Sequence, residues 1–415
     1  MSEQVAYADQ QAMNHFISDS PWDAQAVMGQ VAQDVCQAFA KGKDKKGLLI
    51  DESGWKKFGK HSVGVARQYL GNIGKTDNGQ VGVFLAFTQT DRVALVQGRL
   101  YLPTGWSDNP ARCAKAKIPL YAQCYKTKPQ LALEMIVQLG DTISYDWIGG
   151  DGLYGNSPEL RYSLHQMGKL FVLDSREDLQ VYLQDPALYI GESAAPQQTY
   201  NKDGSRRKKM GRPKCRYTTN QQPVTLKEVR MNSKDEEWTT LKLRKGTKGW
   251  MKRKALIKPI YLWQRQRDNN PYVEKLRVVI SQDLNGENIK YSLVNDWDNE
   301  LHTEKSLQEV VYMQMQRHFV EKSFREIKQQ LGFADYQIRT WRAWYHHIAL
   351  TMLALLHILE QQIIHQKEVP LLSANDIKYL LANSLQKKAQ RENELQSIIE
   401  KRHRMRQYDI NRYYD

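Results

Sequence analysis

The spacing of apolar residues changes several times along this chain, and each change marks a different kind of element. After Ser20-Pro21-Trp22-Asp23, the residues Val27, Met28, Val31 and Val35 recur at helical spacing. A helix is expected there, ending before the lysine-rich loop 41–46. The run Gly47-Leu48-Leu49-Ile50 is short and continuous, the pattern of a buried strand, and Asp51 ends it. Alternation at Val81, Val83, Leu85 and Phe87, then Val93, Leu95, Leu100 and Leu102, predicts strands near 80–88 and 92–102. Leu131, Met135, Ile136 and Leu139 share one face of a helix over about 128–140. A second short strand, Trp147-Ile148-Gly149-Gly150, runs into Asp151, and a helix near 157–167 and a strand at 170–174 follow. This is a mixed α/β order rather than a plain parallel one.

Beyond residue 175 the pattern changes. Residues 200–216 form a basic linker punctuated by Gly and Pro, and from about 222 to 300 the period is that of strands. Ile257, Ile260 and Leu262 mark one strand. Leu276, Val278 and Ile280 alternate, Asn285-Gly286 supplies a tight turn, and Ile289, Tyr291 and Leu293 alternate again. The expectation is a hairpin in a sheet of its own. Helix returns at about 304 and ends near Leu331-Gly332, with Gly332 as the C′ residue; a long helix spans about 336–366, and 375–406 is a charged helical tail. The expected division is a helical region 1–46, an α/β core 47–175, a β-rich insertion 176–303, the second part of the core 304–366, and a helical region 367–415.

Charge then narrows the partners. The 415 residues carry 60 Lys+Arg against 46 Asp+Glu, a net +14, which favours a polyanion. Cys36, Cys113, Cys124 and Cys215 have no metal-ligand spacing, so reduced intracellular thiols are expected. Met1–Asp23 is polar, unlike a secretory leader, and the apolar stretch Ile348–Leu359 is shorter than a membrane span.

The candidate chemistry lies in three acids. Taken singly, Asp51 could cap a strand end, Asp151 could be a turn residue in Gly149-Gly150-Asp151-Gly152, and Glu321 could pair with Arg317 and Arg325 one turn away. Glu52 should point to the opposite face of the pleat from Asp51. On the Glu321 helix, positions 314, 317, 321 and 328 fall within about 60° of one another, so Gln314, Arg317, Glu321 and Lys328 share a face. Val320, Phe324, Ile327 and Leu331 form an apolar stripe beside it. Three separated carboxylates can hold two divalent metals roughly 3.5–4 Å apart, an arrangement suited to phosphodiester chemistry. Arg317 and Lys328 suit phosphate oxygens, the first by two hydrogen bonds and the second as a point charge.

These residues resemble the DDE transposases of bacterial insertion sequences that have an RNase H-like core interrupted by a β-rich insertion. The resemblance rests on Leu49-Ile50-Asp51-Glu52-Ser53-Gly54, the stretch Lys60 to Tyr69, Asp77-Asn78, and Gln80 to Phe84. It continues through Gly150-Asp151-Gly152 with Tyr154-Gly155, Val320-Glu321 through Lys328, Gly332, and Tyr336 to Trp341. The family's Tyr-x2-Arg-x3-Glu-x6-Lys signature is met by Arg317, Glu321 and Lys328, with Gln314 in the tyrosine position. The gap from Asp151 to Glu321 is long (321 − 151 = 170), which matches the β-rich stretch read independently.

The resemblance implies an RNase H-like mixed sheet flanked by helices. It also implies two Mg²⁺ ions, with Mn²⁺ able to substitute, on Asp51, Asp151 and Glu321. It further implies a chain that binds double-stranded DNA as a homodimer, cuts at the element's terminal inverted repeats and joins the 3′-OH ends to target DNA. Such a protein works in the bacterial cytoplasm, on the nucleoid. A DNA-binding regulator that has lost catalysis, or a metal-dependent nuclease without strand transfer, are the alternatives.

Several basic segments are candidate DNA contacts. The linker residues Arg206, Arg207, Lys208, Lys209, Gly211, Arg212, Pro213 and Lys214 resemble an AT-hook, which can lie in a narrow A·T-rich minor groove. Arg244, Lys245, Lys248, Lys252 and Arg253 surround Trp250, and Lys60, His61, Arg67 and Lys75 follow the first strand. Trp250, Trp263 and Trp297 either fill the insertion's own core or offer a ring to an extruded base.

Overall fold

Two aspartates start the N-terminal helices in the computed structural model, which describes residues 8–40, 44–71, 73–140, 142–190, 205, 217–246, 249–263, 271–297, 305–385 and 392–414. The Asp9 carboxylate accepts from the N–H groups of Gln11 and Ala12 at the head of α1 (Gln10–Ser18), and Asp23 accepts from Gln25 at the head of α2 (Ala24–Ala38). The expected apolar face of α2 buries Met28, Val31 and Val35.

β1 (Gly47–Lys56) pairs antiparallel with β3 (Lys75–Gln89), whose other edge is shared by β2 (Ala66–Leu70) and β4 (Arg92–Leu100). β1 does not stop at Asp51, as its apolar run suggests; the ladder with β3 continues to Lys56, because Ser53, Gly54 and Trp55 are buried too. Short helices α3 (Thr104–Ser107) and α4 (Pro110–Lys115) precede α5 (Lys128–Leu139). A reciprocal capping box between Thr127 and Gln130 starts α5, which buries Leu131, Met135, Ile136 and Leu139. These elements cluster with the C-terminal residues in one compact unit, Met1–Tyr145 with His318–Asp415, and Asp146–Arg317 forms a second.

In the second unit, β5 (Trp147–Gly150) leads through α6 (Gly152–Gly155) and α7 (Pro158–Gln166) to β6 (Phe171–Asp174), its parallel neighbour. Two small ladders follow: β7 (Gln180–Val181) with β10 (Val224–Thr225), and β8 (Tyr189–Ile190) with β9 (Tyr217–Thr218). After α8 (Leu226–Met231) comes an antiparallel meander of β11 (Thr239–Gly246), β12 (Gly249–Leu262), β13 (Glu274–Gln282) and β14 (Lys290–Val294). Gly286, at φ +82°, makes the expected turn between the last two.

The hairpin is not in a sheet of its own. β14 continues antiparallel onto β6, with Ser292 opposite Asp174, Leu293 opposite Leu173 and Val294 opposite Val172. Phe171, Val172 and Leu173 are buried, and a buried strand edge needs a hydrogen-bonding partner, which β14 supplies.

α9 (Leu307–Gln330) is followed by α10 (Trp341–Ile364), α11 (Ala374–Ser384) and α12 (Glu392–Tyr414). The residues of α9 up to Arg317 belong to the second unit and those from His318 to the first. In the first unit its stripe of Val320, Phe324 and Ile327 is buried, and the Phe324 ring lies 5.5 Å from that of Phe84 on β3. Phe84 has room because Gly82 and Gly98 flank it; a Cβ at either would come within 2.7 or 2.8 Å of the ring. Gly332 follows α9 at φ +67°, as a C′ residue should.

α10 begins at Trp341 rather than near 336, because Thr340 is its N-cap and the buried Tyr336 gives its hydroxyl to Gln80 Oε1 at 2.9 Å. By length and composition α10 could cross a membrane, yet Trp344, Ile348, Met352 and Leu355 are buried within the protein.

Candidate active site

Asp51 lies directly opposite Phe84 in the β1–β3 ladder, so the two side chains share a face of the sheet. Trp55 is on that face as well and meets the Phe84 ring edge-on at 6.0 Å. Phe324 seats α9 on the same ring, which brings Lys328, one turn further along, to the Asp51 side. Lys328 Nζ is 3.3 Å from the Gly54 carbonyl oxygen. Burial holds its ammonium below the ordinary lysine range, and the charge of Asp51 pulls the other way. Asp51 is 8% exposed, and one carboxylate oxygen accepts the Glu52 N–H at 2.8 Å. Glu52 takes the opposite face, as alternation requires, and pairs with Lys128 at 2.8 Å. Glu321, two turns before Lys328, is exposed.

In the second unit, Asp151 is the N-cap of α6 and accepts the Leu153 N–H at 2.9 Å. The turn packs hard against the end of β6: a Cβ on Gly155 would sit 1.8 Å from the Asp174 carbonyl oxygen. Arg161, fully buried, ties the turn down by donating to the Gly155 carbonyl at 2.6 Å while forking onto Glu274 with two bonds of 2.8 Å.

The close packing of that turn brings a further carboxylate, Asp174, within electrostatic range of Asp151. Burial raises the Asp174 pKa above the usual carboxylate range, Arg317 opposes that rise, and the Asp151 charge adds to it. Arg317 Nε is 3.1 Å from Asp174 Oδ2, and Ser292 Oγ donates to Asp174 Oδ1 at 2.6 Å.

Gln314 is not on offer to a phosphate. Its side chain is 2% exposed, its amide donates to Ser292 Oγ at 2.8 Å, and its carbonyl accepts from Ser281 Oγ. Ser281 Oγ in turn accepts from Arg253 Nε at 3.2 Å. A buried chain of hydrogen bonds thus runs from Asp174 through Ser292, Gln314 and Ser281 to Arg253. The amide in the tyrosine position supports Asp174 from behind.

Sequence reasoning missed Asp174, although it carries the signal that found Asp51 and Asp151: an acid closing a short apolar run, here Phe171-Val172-Leu173. Carboxylates with one oxygen engaged by a backbone N–H are hard oxygen donors of the kind that suits Mg²⁺ or Mn²⁺. Among the described residues, no three His, Cys, Asp or Glu side chains gather closely enough to hold a metal ion.

The candidate DNA contacts divide. Lys60, His61, Arg67 and Lys75 are exposed in the first unit, and the first three line one cavity. In the second, Lys252 is exposed, Arg244 is half-buried and Trp250 is 54% exposed, so this ring fills no core. Trp297 instead packs edge-on against Tyr261 at 5.1 Å. Arg253 is withdrawn from any DNA surface: it is 4% exposed and its guanidinium is held by Asp283 at 2.6 Å. Lys245 contributes its backbone to β11. Lys248 and the AT-hook-like residues Arg206, Arg207, Lys208, Lys209, Gly211, Arg212, Pro213 and Lys214 lie outside the described residues.

Comparison with known proteins adds a family. The sequence model of a family described as DDE superfamily endonuclease matches residues 1–250. A relative described as a probable transposase for insertion sequence element IS701, from Microchaete diplosiphon, is 33% identical over 159 residues. That match covers 37% of this chain and 37% of the relative, so it spans little more than a third of the relative's length. Among solved structures, a piggyBac transposase synaptic complex with hairpin DNA aligns at 13% identity and a TM-score of 0.38, over 82% of this chain and 52% of that one. The NurA nuclease from Sulfolobus solfataricus aligns at 12% identity and a TM-score of 0.27, over 83% and 91%. At those TM-scores neither likeness bears on the fold or the function drawn here.

Proposed function

Because the chain belongs to the DDE superfamily of endonucleases, we propose that it is the transposase of an insertion sequence, built on an RNase H-like core. It binds the element's terminal inverted repeats as a homodimer on double-stranded DNA in the bacterial cytoplasm, cleaves there, and joins the 3′-OH ends to target DNA. The observation that carries this reading is the pairing of an aspartate with a cationic side chain at each of two places, within β1 and after β5. Asp51 stands within electrostatic range of a desolvated Lys328, and Asp151 stands within electrostatic range of Asp174, which pairs with Arg317.

Asp51, Asp151 and Glu321 would be the ligands of two divalent cations. When bound, the cations supply Lewis-acid polarisation of the phosphodiester and of the attacking oxygen. The chain's own side chains do the rest. Arg317 presents a guanidinium ion-paired through Nε with Asp174, suited to a non-bridging phosphate oxygen. Lys328, partly stripped of water, places a point charge on the Asp51 side. A charge held in a low-dielectric position acts more strongly on a developing negative charge than one in water.

The test is cleavage of a labelled duplex carrying the inverted-repeat ends of the gene's own locus in Mg²⁺, beside Asp151→Ala. Nicking at the element end, lost in the variant while binding persists, is expected. Binding without cleavage by either protein, in Mg²⁺ or Mn²⁺, would instead indicate a DNA-binding regulator. A pre-cleaved end with a free 3′-OH should yield joined product; cleavage without joining would make the protein a nuclease.

A further inference from the structure

The loop after β1 is held far more firmly than a surface connection needs. Arg112 on α4 donates to the carbonyls of Lys60 at 3.1 Å and Val65 at 3.0 Å, and its guanidinium lies 3.8 Å over the Trp106 ring. Val63 N–H donates to the Arg339 carbonyl at 3.2 Å, Gln80 donates to the Val63 carbonyl, and Asn78 donates to the Gly59 carbonyl at 3.0 Å. All of these residues belong to the first unit.

The pinned loop forms one wall of two adjoining cavities of about 760 and 420 Å³, which share Lys60, His61, Arg112 and Lys115. Arg67 lines the larger and Arg339 the smaller, and among the described residues neither cavity is lined by an aspartate or a glutamate. Lys60, His61, Arg67, Lys115 and Arg339 are exposed, whereas Arg112 is half-buried. A concave surface with cations and no acids concentrates positive potential. Ordering the loop in advance removes the entropy that would otherwise oppose binding.

We propose that this groove is a binding site for the phosphate backbone of duplex DNA. Lys60, Arg67, Lys115 and Arg339 meet phosphates, and Arg112 acts as a positioning residue that fixes the loop. The proposal rests on the transposase reading and adds a metal-independent binding surface to it. Because the contacts are to backbone, the groove sets how the duplex lies without selecting its sequence.

The test is fluorescence anisotropy of the full chain with a labelled duplex in EDTA over a salt series. It compares the wild type with the combined variant Arg67→Ala, Lys115→Ala, Arg339→Ala. Each phosphate contact contributes about 0.9 to the slope of log affinity against log salt, so the variant should lose up to about 2.7 in slope. Its affinity at low salt should fall roughly tenfold or more. Arg112→Lys, which loses the two carbonyl bonds and the ring contact, should weaken binding while keeping most of the slope. Unchanged slope and affinity in the combined variant, beside a wild type that binds and cleaves, would overturn this proposal alone. Equal binding of polyglutamate, lost in the same variant, would overturn it in favour of an acidic polypeptide. A wild type that binds no duplex at any salt would overturn the transposase reading as well.

Discussion

Arg317 Nε and Asp174 Oδ2 stand 3.1 Å apart, an ion pair between residues separated by 143 positions (317 − 174). Asp174→Asn keeps a group that can accept from Ser292 but removes the charge that pairs with the guanidinium. Single-turnover cleavage should slow by about ten- to a hundredfold, the cost of a misplaced group near the chemistry. Duplex affinity should change by less than about threefold, as few phosphate charges are affected. Cleavage at the wild-type rate would show that Arg317 needs no such partner.

Gln314→Tyr would restore the residue of the signature that this chain resembles, yet it should weaken the fold. The amide is buried and bonded to Ser281 and Ser292, so a phenol overfills the space and strands a hydroxyl. A loss of about 1–3 kcal/mol is expected for overpacking, read as a lower midpoint in urea for the variant. A midpoint at or above wild type would mean that the relay is dispensable.

Gly155→Ala should be much worse than Gly152→Ala. The new methyl at 155 would meet the Asp174 carbonyl at 1.8 Å, whereas at 152 the nearest atom is 3.5 Å away. Displacing backbone at 155 should cost at least about 3 kcal/mol, so thermal melting should separate the two variants clearly. Similar melting temperatures would contradict the tight seat of the turn against β6.

His347 offers a pH signature. Burial, the largest cause, pushes its pKa down to about 4, while its contact with the Phe333 carbonyl opposes the shift. Above its ordinary value near 6.5 the ring is neutral folded or unfolded; as pH falls from there toward 4, the unfolded chain takes up the proton first, so stability is lost across that window. His347→Gln removes this linkage, and its acid-unfolding midpoint should move to lower pH. A midpoint unchanged or higher would assign acid sensitivity elsewhere.

How much could be read in advance depended on how local the determinants were. α5 was legible because Thr127, Gln130 and one apolar face specify it within a few turns. α7 and the β13–β14 turn were legible for the same reason. β2 was not, since Arg67, Gln68 and Tyr69 alternate without an apolar face and only Leu70 is buried. That Asp151 follows a short strand and Glu321 lies on a helix was legible in the local pattern, whereas β1 runs on past Asp51 to Lys56. Ion-pair partners were not legible: Asp174 with Arg317, or Arg161 with Glu274 across 113 positions, are set by the tertiary fold. Arg253 shows the converse. It sits in a basic run that suggested DNA, but burial and Asp283 claim it for the interior.

The ladder from β14 to β6 bears on how such a chain could be shortened. Cutting out residues 176–303 would remove the strand that covers β6, leaving Val172 and Leu173 with an open row of amide and carbonyl groups. Such a bare edge recruits other strands, including those of neighbouring copies. A trimmed protein would therefore be expected to aggregate unless a substitute strand, or a charge or proline on that edge, were introduced in the same step. In this chain β14 is less an accessory than part of the wall that β6 belongs to.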